Sequence, residues 1–148
     1  MPSGWRGASQ LSIAVHSDRG WYVAFAPITV MQANHLDGVV ERVTFEPRAE
    51  ALLVRVHYTQ AWKWSESTYD ALLFIGVGSS GAPSTIGPIV VAESREHDSH
   101  PTGPDDESVR HWMLADWRWE PHTFVVTAAR GSPGRKRPAL GRQPLVFR

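Results

Sequence analysis

At 148 residues and 42% hydrophobic side chains, the chain has the size and apolar content of a single domain that buries a core without covalent or metal staples. It contains no cysteine, which excludes disulfides, zinc–thiolate sites, iron–sulfur ligation and thiol nucleophiles. Fifteen basic and fifteen acidic residues cancel, so net charge gives no general reason to bind nucleic acid or membrane.

The charge is unevenly spread all the same. Residues 93–107 carry six acids against Arg95 alone, and residues 121–148 carry six bases and no acid. Thirteen arginines to two lysines give a bacterial-like composition. No apolar run approaches the roughly 18 residues that span a bilayer. The first fourteen residues lack the basic start and apolar centre of a signal peptide, so the expected location is cytoplasmic.

Taken in chain order, residues 11–16, 21–26 and 28–32 read as short strands. Residues 39–58 form the clearest unit. Val39, Glu41, Val43 and Phe45, then Leu52, Val54, Val56 and Tyr58, alternate on either side of a turn at 46–50, which predicts a β-hairpin. Its other face carries Arg42, Thr44, Arg55 and His57 and is expected to be wet. The unbroken apolar run 71–77 predicts a central strand covered on both faces, and 78–83 a flexible connection.

Strands are also expected at 86–92, 110–119 and 122–129, with a polar surface loop at 95–108. Residues 109–117 fit a helical stripe as well (Val109, Trp112, Met113, Trp117). The alternation of Met113, Ala115, Trp117 and Trp119 against Leu114, Asp116 and Arg118 favours a strand. The whole predicts an all-β antiparallel sandwich of eight or nine strands over residues 1–130, with a small closed barrel enclosing an apolar cavity as the alternative. Residues 131–148 read as a basic, Gly/Pro-rich tail ending in a short apolar strand.

Trp62-Lys63-Trp64 and Trp117-Arg118-Trp119 are the sharpest local features, in a chain with seven tryptophans. On a strand, a two-residue spacing points both rings of a pair to one face. Trp62, Trp64, Trp117 and Trp119 are therefore candidate ligand-binding residues, a stacking platform for sugar rings or bases, with core packing or a partner interface as the competing readings. Four acids near these pairs, Glu66, Asp70, Asp116 and Glu120, offer carboxylates for glycoside chemistry, although proximity in sequence does not place two at catalytic separation.

His97, Asp98 and His100, with Asp105, Asp106 and His111 close by, are weak metal candidates. Their spacing matches no metal template and a solvated acidic loop is the better reading, so neither metal nor cofactor is expected. No Gly-x-Ser-x-Gly elbow occurs. The glycines from Gly76 to Gly81 are followed by a strand-like run where a dinucleotide fingerprint needs a helix.

In the tail, Arg135, Lys136 and Arg137 are candidate contacts for phosphate or an acidic surface. Leu145 and Phe147 are candidates for strand addition, to this sheet or to a partner's. The resulting expectation is a non-catalytic binding or interaction module, an assembly component or homo-oligomer with a protein partner or a second copy at its tail. The alternative is an enzyme or binder acting on a small hydrophobic or carbohydrate ligand in a tryptophan-lined pocket.

Overall fold

The computed structural model describes residues 5–17, 20–33, 36–48, 51–62, 65–97 and 109–148. Nine strands follow one another: β1 (Trp5–Ser17), β2 (Gly20–Ala33), β3 (Leu36–Pro47), β4 (Leu52–Trp62), β5 (Ser65–Val77), β6 (Pro83–His97), β7 (Val109–Glu120), β8 (Thr123–Gly131) and β9 (Gly141–Pro144). Each pairs antiparallel with the next, so the sheet order is the sequence order and the sheet stays open between β1 and β9. The architecture is all-β and antiparallel, as alternation and turn composition predict. Among the described residues there is no helix, and so none long and apolar enough to cross a membrane.

Side-chain chemistry explains how one sheet makes several layers. β4 sends Leu53 to one face and Val54 and Val56 to the other; β5, in register with it, does the same with Leu72 and Phe74 against Ala71, Leu73 and Ile75. Around Leu53 and Val54 of β4 and Ala71 to Ile75 of β5, both faces of this pair are apolar and both are buried. That is why residues 71–76 run without alternation, as a doubly covered strand must, while Val77 at the end of the expected run is exposed. One face of β4–β5 packs against β7, β8 and the end of the chain, around Phe74, Trp119, Phe124 and Val126. The main chain of β2 folds back close to β6 and β4. Tyr58 and Tyr69 stack at 5.0 Å on the side of Val54 and Val56. Burial there, followed by the neighbouring Tyr69, raises the pKa of Tyr58 above its ordinary 10.0.

The fold in the sheet comes at β6–β7. These strands pair only where Ala92 to His97 face Val109 to Leu114. Beyond Leu114, β7 parts from β6 and crosses the inner face of β4–β5. The two layers of a sandwich thus come from one continuous sheet. The β7–β8 turn is two residues, Pro121 and His122, with His122 at φ 54°. Proline presets the first turn position, and the left-handed second position lets the chain reverse at once.

Several boundaries differ from the sequence reading for physical reasons. The stretches 21–26 and 28–32 join in β2. Proline has no N–H to give a ladder, and Pro27 sits in the register shift between the pairs Ser12–Phe25 and Gln10–Thr29. β6 runs through His97, three residues into the expected loop, because Arg95 to His97 gain partners on both β5 and β7. The last strand is 141–144. Of the apolar residues after it, Leu145 and Phe147 serve the core instead of the ladder, and Val146 is exposed.

Candidate functional site

The wet face of the β3–β4 hairpin becomes the wall of a cup. Cross-strand pairing sets Arg42 beside His57 and Thr44 beside Arg55 on the inner face. A bulge between Val40 and Arg42 inserts Glu41 into the ladder, so Glu41 turns to the polar side and leaves the apolar side that strict alternation predicts. Asp70, opposite His57 on β5, completes the group.

These side chains form one network. His57 meets Asp70 Oδ1 through Nδ1 at 2.5 Å and Glu41 Oε2 through Nε2 at 3.0 Å. The Thr59 hydroxyl donates to Glu41 at 3.1 Å and lies 3.5 Å from the Thr68 hydroxyl. With both nitrogens facing carboxylates, the imidazole is fixed in orientation and has no free nitrogen to offer a substrate. The two carboxylates flank the ring, one at each nitrogen, instead of converging with it on one point, and among the described residues no cluster is arranged to hold a metal ion.

The opposite wall is β7. Once it leaves β6, its inward residues Ala115, Trp117 and Trp119 lie over the hairpin. The Arg55 guanidinium stacks 4.7 Å from the centre of the Trp117 ring, and Arg48 stacks 4.1 Å from that of Trp119. Arg48 also donates to the Trp119 carbonyl at 2.5 Å, and the two arginines share Glu46, at 3.1 and 3.2 Å. This clasp ties the hairpin to β7.

A cavity of about 390 Å³ results, within the range of small-molecule sites. Its polar side is Arg42, Thr44, Arg55, His57 and Asp70, and its apolar side is Leu72, Val91, Ala92, Leu114, Ala115 and Trp117. Leu114 stands 43% exposed at its mouth. A second hollow of about 460 Å³ continues from it, sharing Asp70, Ala92 and Leu114 and reaching Trp112.

Of the residues singled out in the sequence, Trp117 and Trp119 do share a face, and they divide the two readings between them. Trp119 is core, 6% exposed, packed edge-on to Phe74 at 5.5 Å; Trp117 is half-buried and lines the cup. Trp64, Asp98 and His100 lie outside the described residues, as do the side chains of Trp62 and His97.

The four carboxylates separate. Asp70 is in the cup and Glu66 is exposed. Asp116 pairs with Arg130 at 3.5 Å on the outer side of β7. Glu120 takes a 2.5 Å hydrogen bond from Arg118 and pairs with Arg142; the Arg118 bond, helped by Arg142, holds its carboxyl below the ordinary value.

The tail docks on its own sheet. Arg135 pairs with the buried Glu93, while Lys136 and Arg137 face outward, Arg137 donating to the Gly131 carbonyl at 2.9 Å. The Leu145 amide donates to the His122 carbonyl at 2.8 Å, and its side chain is buried. Phe147 packs over Gly76, where a Cβ would lie 2.4 Å from the ring.

Sequence reasoning marks Arg42, Thr44, Arg55 and His57 only as a wet surface, sets Glu41 on the apolar face and gives Leu114 no role in a site. The available signal is composition: two arginines and a histidine on one strand-pair face, followed by an aspartate just before the central apolar run. Comparison of the chain with protein families, with curated proteins and with solved structures finds no match.

Proposed function

We propose that this protein is a small-molecule binding module and that the cup between the β3–β4 hairpin and β7 is its site. One observation carries the reading. The cup joins an apolar wall around Trp117 and Leu114 to a polar wall whose members are already held by one another. A preformed surface of that kind loses little entropy when a ligand arrives. Trp117 lines the pocket and offers aromatic surface to an apolar or sugar-like ligand. Because both His57 nitrogens are occupied by carboxylates, binding without chemistry is the simpler use of the site. The engagement of Leu145, Phe147 and Arg135 by their own sheet favours the cup over the tail as the seat of function.

The test is a thermal-shift and calorimetric screen of amphipathic small molecules and mono- and disaccharides against the full chain and Trp117→Ala. Saturable stabilisation of the wild type, reduced at least about tenfold in affinity by Trp117→Ala, is the expected result; a binding aromatic contact is worth this much or more. If no compound raises Tm, or Trp117→Ala leaves every affinity unchanged, the cup is not the site.

A further inference from the structure

Among the described residues, the ionisable side chains that line the cup each have a polar partner, with one exception. Arg55 is paired with Glu46 and stacked on Trp117, and His57 lies between Glu41 and Asp70. Arg42 lines the same cavity and has no ion pair or hydrogen bond among the described residues. The exposed Thr44 lies two residues along on the same face, and Arg55 stands diagonally across the strand pair. Diagonal neighbours on paired strands lie about 7–8 Å apart, close enough for two long guanidinium side chains to meet one small group. The cup therefore offers an unpaired planar fork of donors, a hydroxyl beside it and a second guanidinium, all bordering an apolar floor.

On this basis, and resting on the binding role proposed for the cup, we infer that its ligand is a small organic carboxylate with a flat apolar body. The carboxylate takes two parallel N–H bonds from Arg42, the geometry in which a guanidinium and a carboxylate match best. Thr44 supplies a further donor. The body lies against Leu72, Leu114 and the open edge of Trp117 and covers the exposed surface of Leu114. Asp70 and Glu41 are both turned to the His57 ring, so the carboxylate seats on the Arg42 and Thr44 side of the cup. A dianionic phosphate would bring a second negative charge with no second unpaired cation to meet it, so a monoanion fits better.

The experiment compares 2-naphthoate with its uncharged isostere 2-naphthamide by calorimetry on the full chain. Both are measured against wild type, Arg42→Gln and, as a control for loss of one surface cation, Arg130→Gln. Phenyl phosphate serves as a third probe. The inference requires that naphthoate bind more tightly than the amide. It also requires that Arg42→Gln weaken naphthoate by about tenfold or more, the scale of a lost hydrogen bond to a charged group, while leaving the amide unchanged.

Arg130→Gln should leave both affinities as they are, and circular dichroism and Tm confirm that each variant is folded. Equal affinity for acid and amide, or naphthoate binding indifferent to Arg42→Gln, overturns the carboxylate assignment and leaves the cup a neutral-ligand site. Tighter binding of phenyl phosphate than of naphthoate replaces the carboxylate by a phosphate. If the acid fails to bind while sugars or neutral compounds do, only the carboxylate assignment falls; if nothing binds, both readings fall together.

Discussion

The inner face of β4 and β5 is filled at one end and hollow at the other, though the same two strands build both. Toward the β5–β6 turn it carries Leu53, Phe74 and the bare Gly76, and the space is occupied by Trp119, Phe124, Leu145 and Phe147. Toward the other end it carries Arg55, His57 and Asp70, and the space stays open as the cup. The change falls within about two residues on each strand. The difference teaches that in a folded sheet a core and a binding site are one surface, distinguished by whether another segment supplies apolar groups to cover it. Here the end of the chain fills one half, and the other stays open between the hairpin and the β7 wall of Leu114, Ala115 and Trp117.

The strongest way to break this comparison is to empty the filled half. Phe74→Ala removes a fully buried ring that touches both Trp119 and Phe124, and should cost about 3–5 kcal/mol in urea unfolding. Leu114→Ala, on the hollow half, should cost under about 1 kcal/mol, since it removes a side chain that is already partly in water. Comparable losses for the two would mean that the cup is no more open than the core.

Next in size is the seat of Phe147. Gly76→Ala places a Cβ against that ring and should cost about 1–3 kcal/mol. The same change in a Phe147→Ala background should be nearly neutral, a coupling that a double-mutant cycle measures directly. Additive effects would show that Phe147 does not need the glycine.

A smaller effect probes the hollow half. Asp70→Asn removes the carboxylate from His57 Nδ1, but both groups are partly solvated, so stability should fall by less than about 1 kcal/mol. A loss of several kcal/mol would mark the His57 network as structural core and not a cup wall.

The smallest effect is a pH dependence on the face away from the cup. Burial raises the pKa of Tyr58 in the folded state, so the unfolded chain gives up this proton first. The corresponding stability is complete below the ordinary tyrosine range and is lost as pH rises through the folded value. Chemical denaturation above pH 10.0 should therefore show a falling wild-type stability whose slope is reduced in Tyr58→Phe. An unchanged slope would assign the alkaline loss to other groups.

Much of the fold is legible wherever burial on one face writes a period of two into the sequence. The β3–β4 hairpin, the doubly covered 71–76 strand and the extended form of 109–117 all rest on such patterns. Glu41 is misread for the converse reason. A bulge adds one residue, flips the phase, and leaves no mark in hydrophobicity. The cup is less legible still, because it depends on where β7 parts from β6. That path is set by packing of Trp117 and Trp119 against residues some 60 to 70 positions earlier, Arg55 and Arg48. Spacing two tryptophans correctly on one face does not say that one will be sealed and the other left at a cavity wall.

The double covering of β4 and β5 also fixes a hierarchy in time. The amides of Leu53, Val54 and Ala71 to Ile75 are bonded to strands on both sides and screened above and below, so they exchange with solvent only when the domain opens as a whole. They are internal clocks of global unfolding. A molecule that binds the folded cup must slow those clocks in proportion to its occupancy, even at amides it never touches.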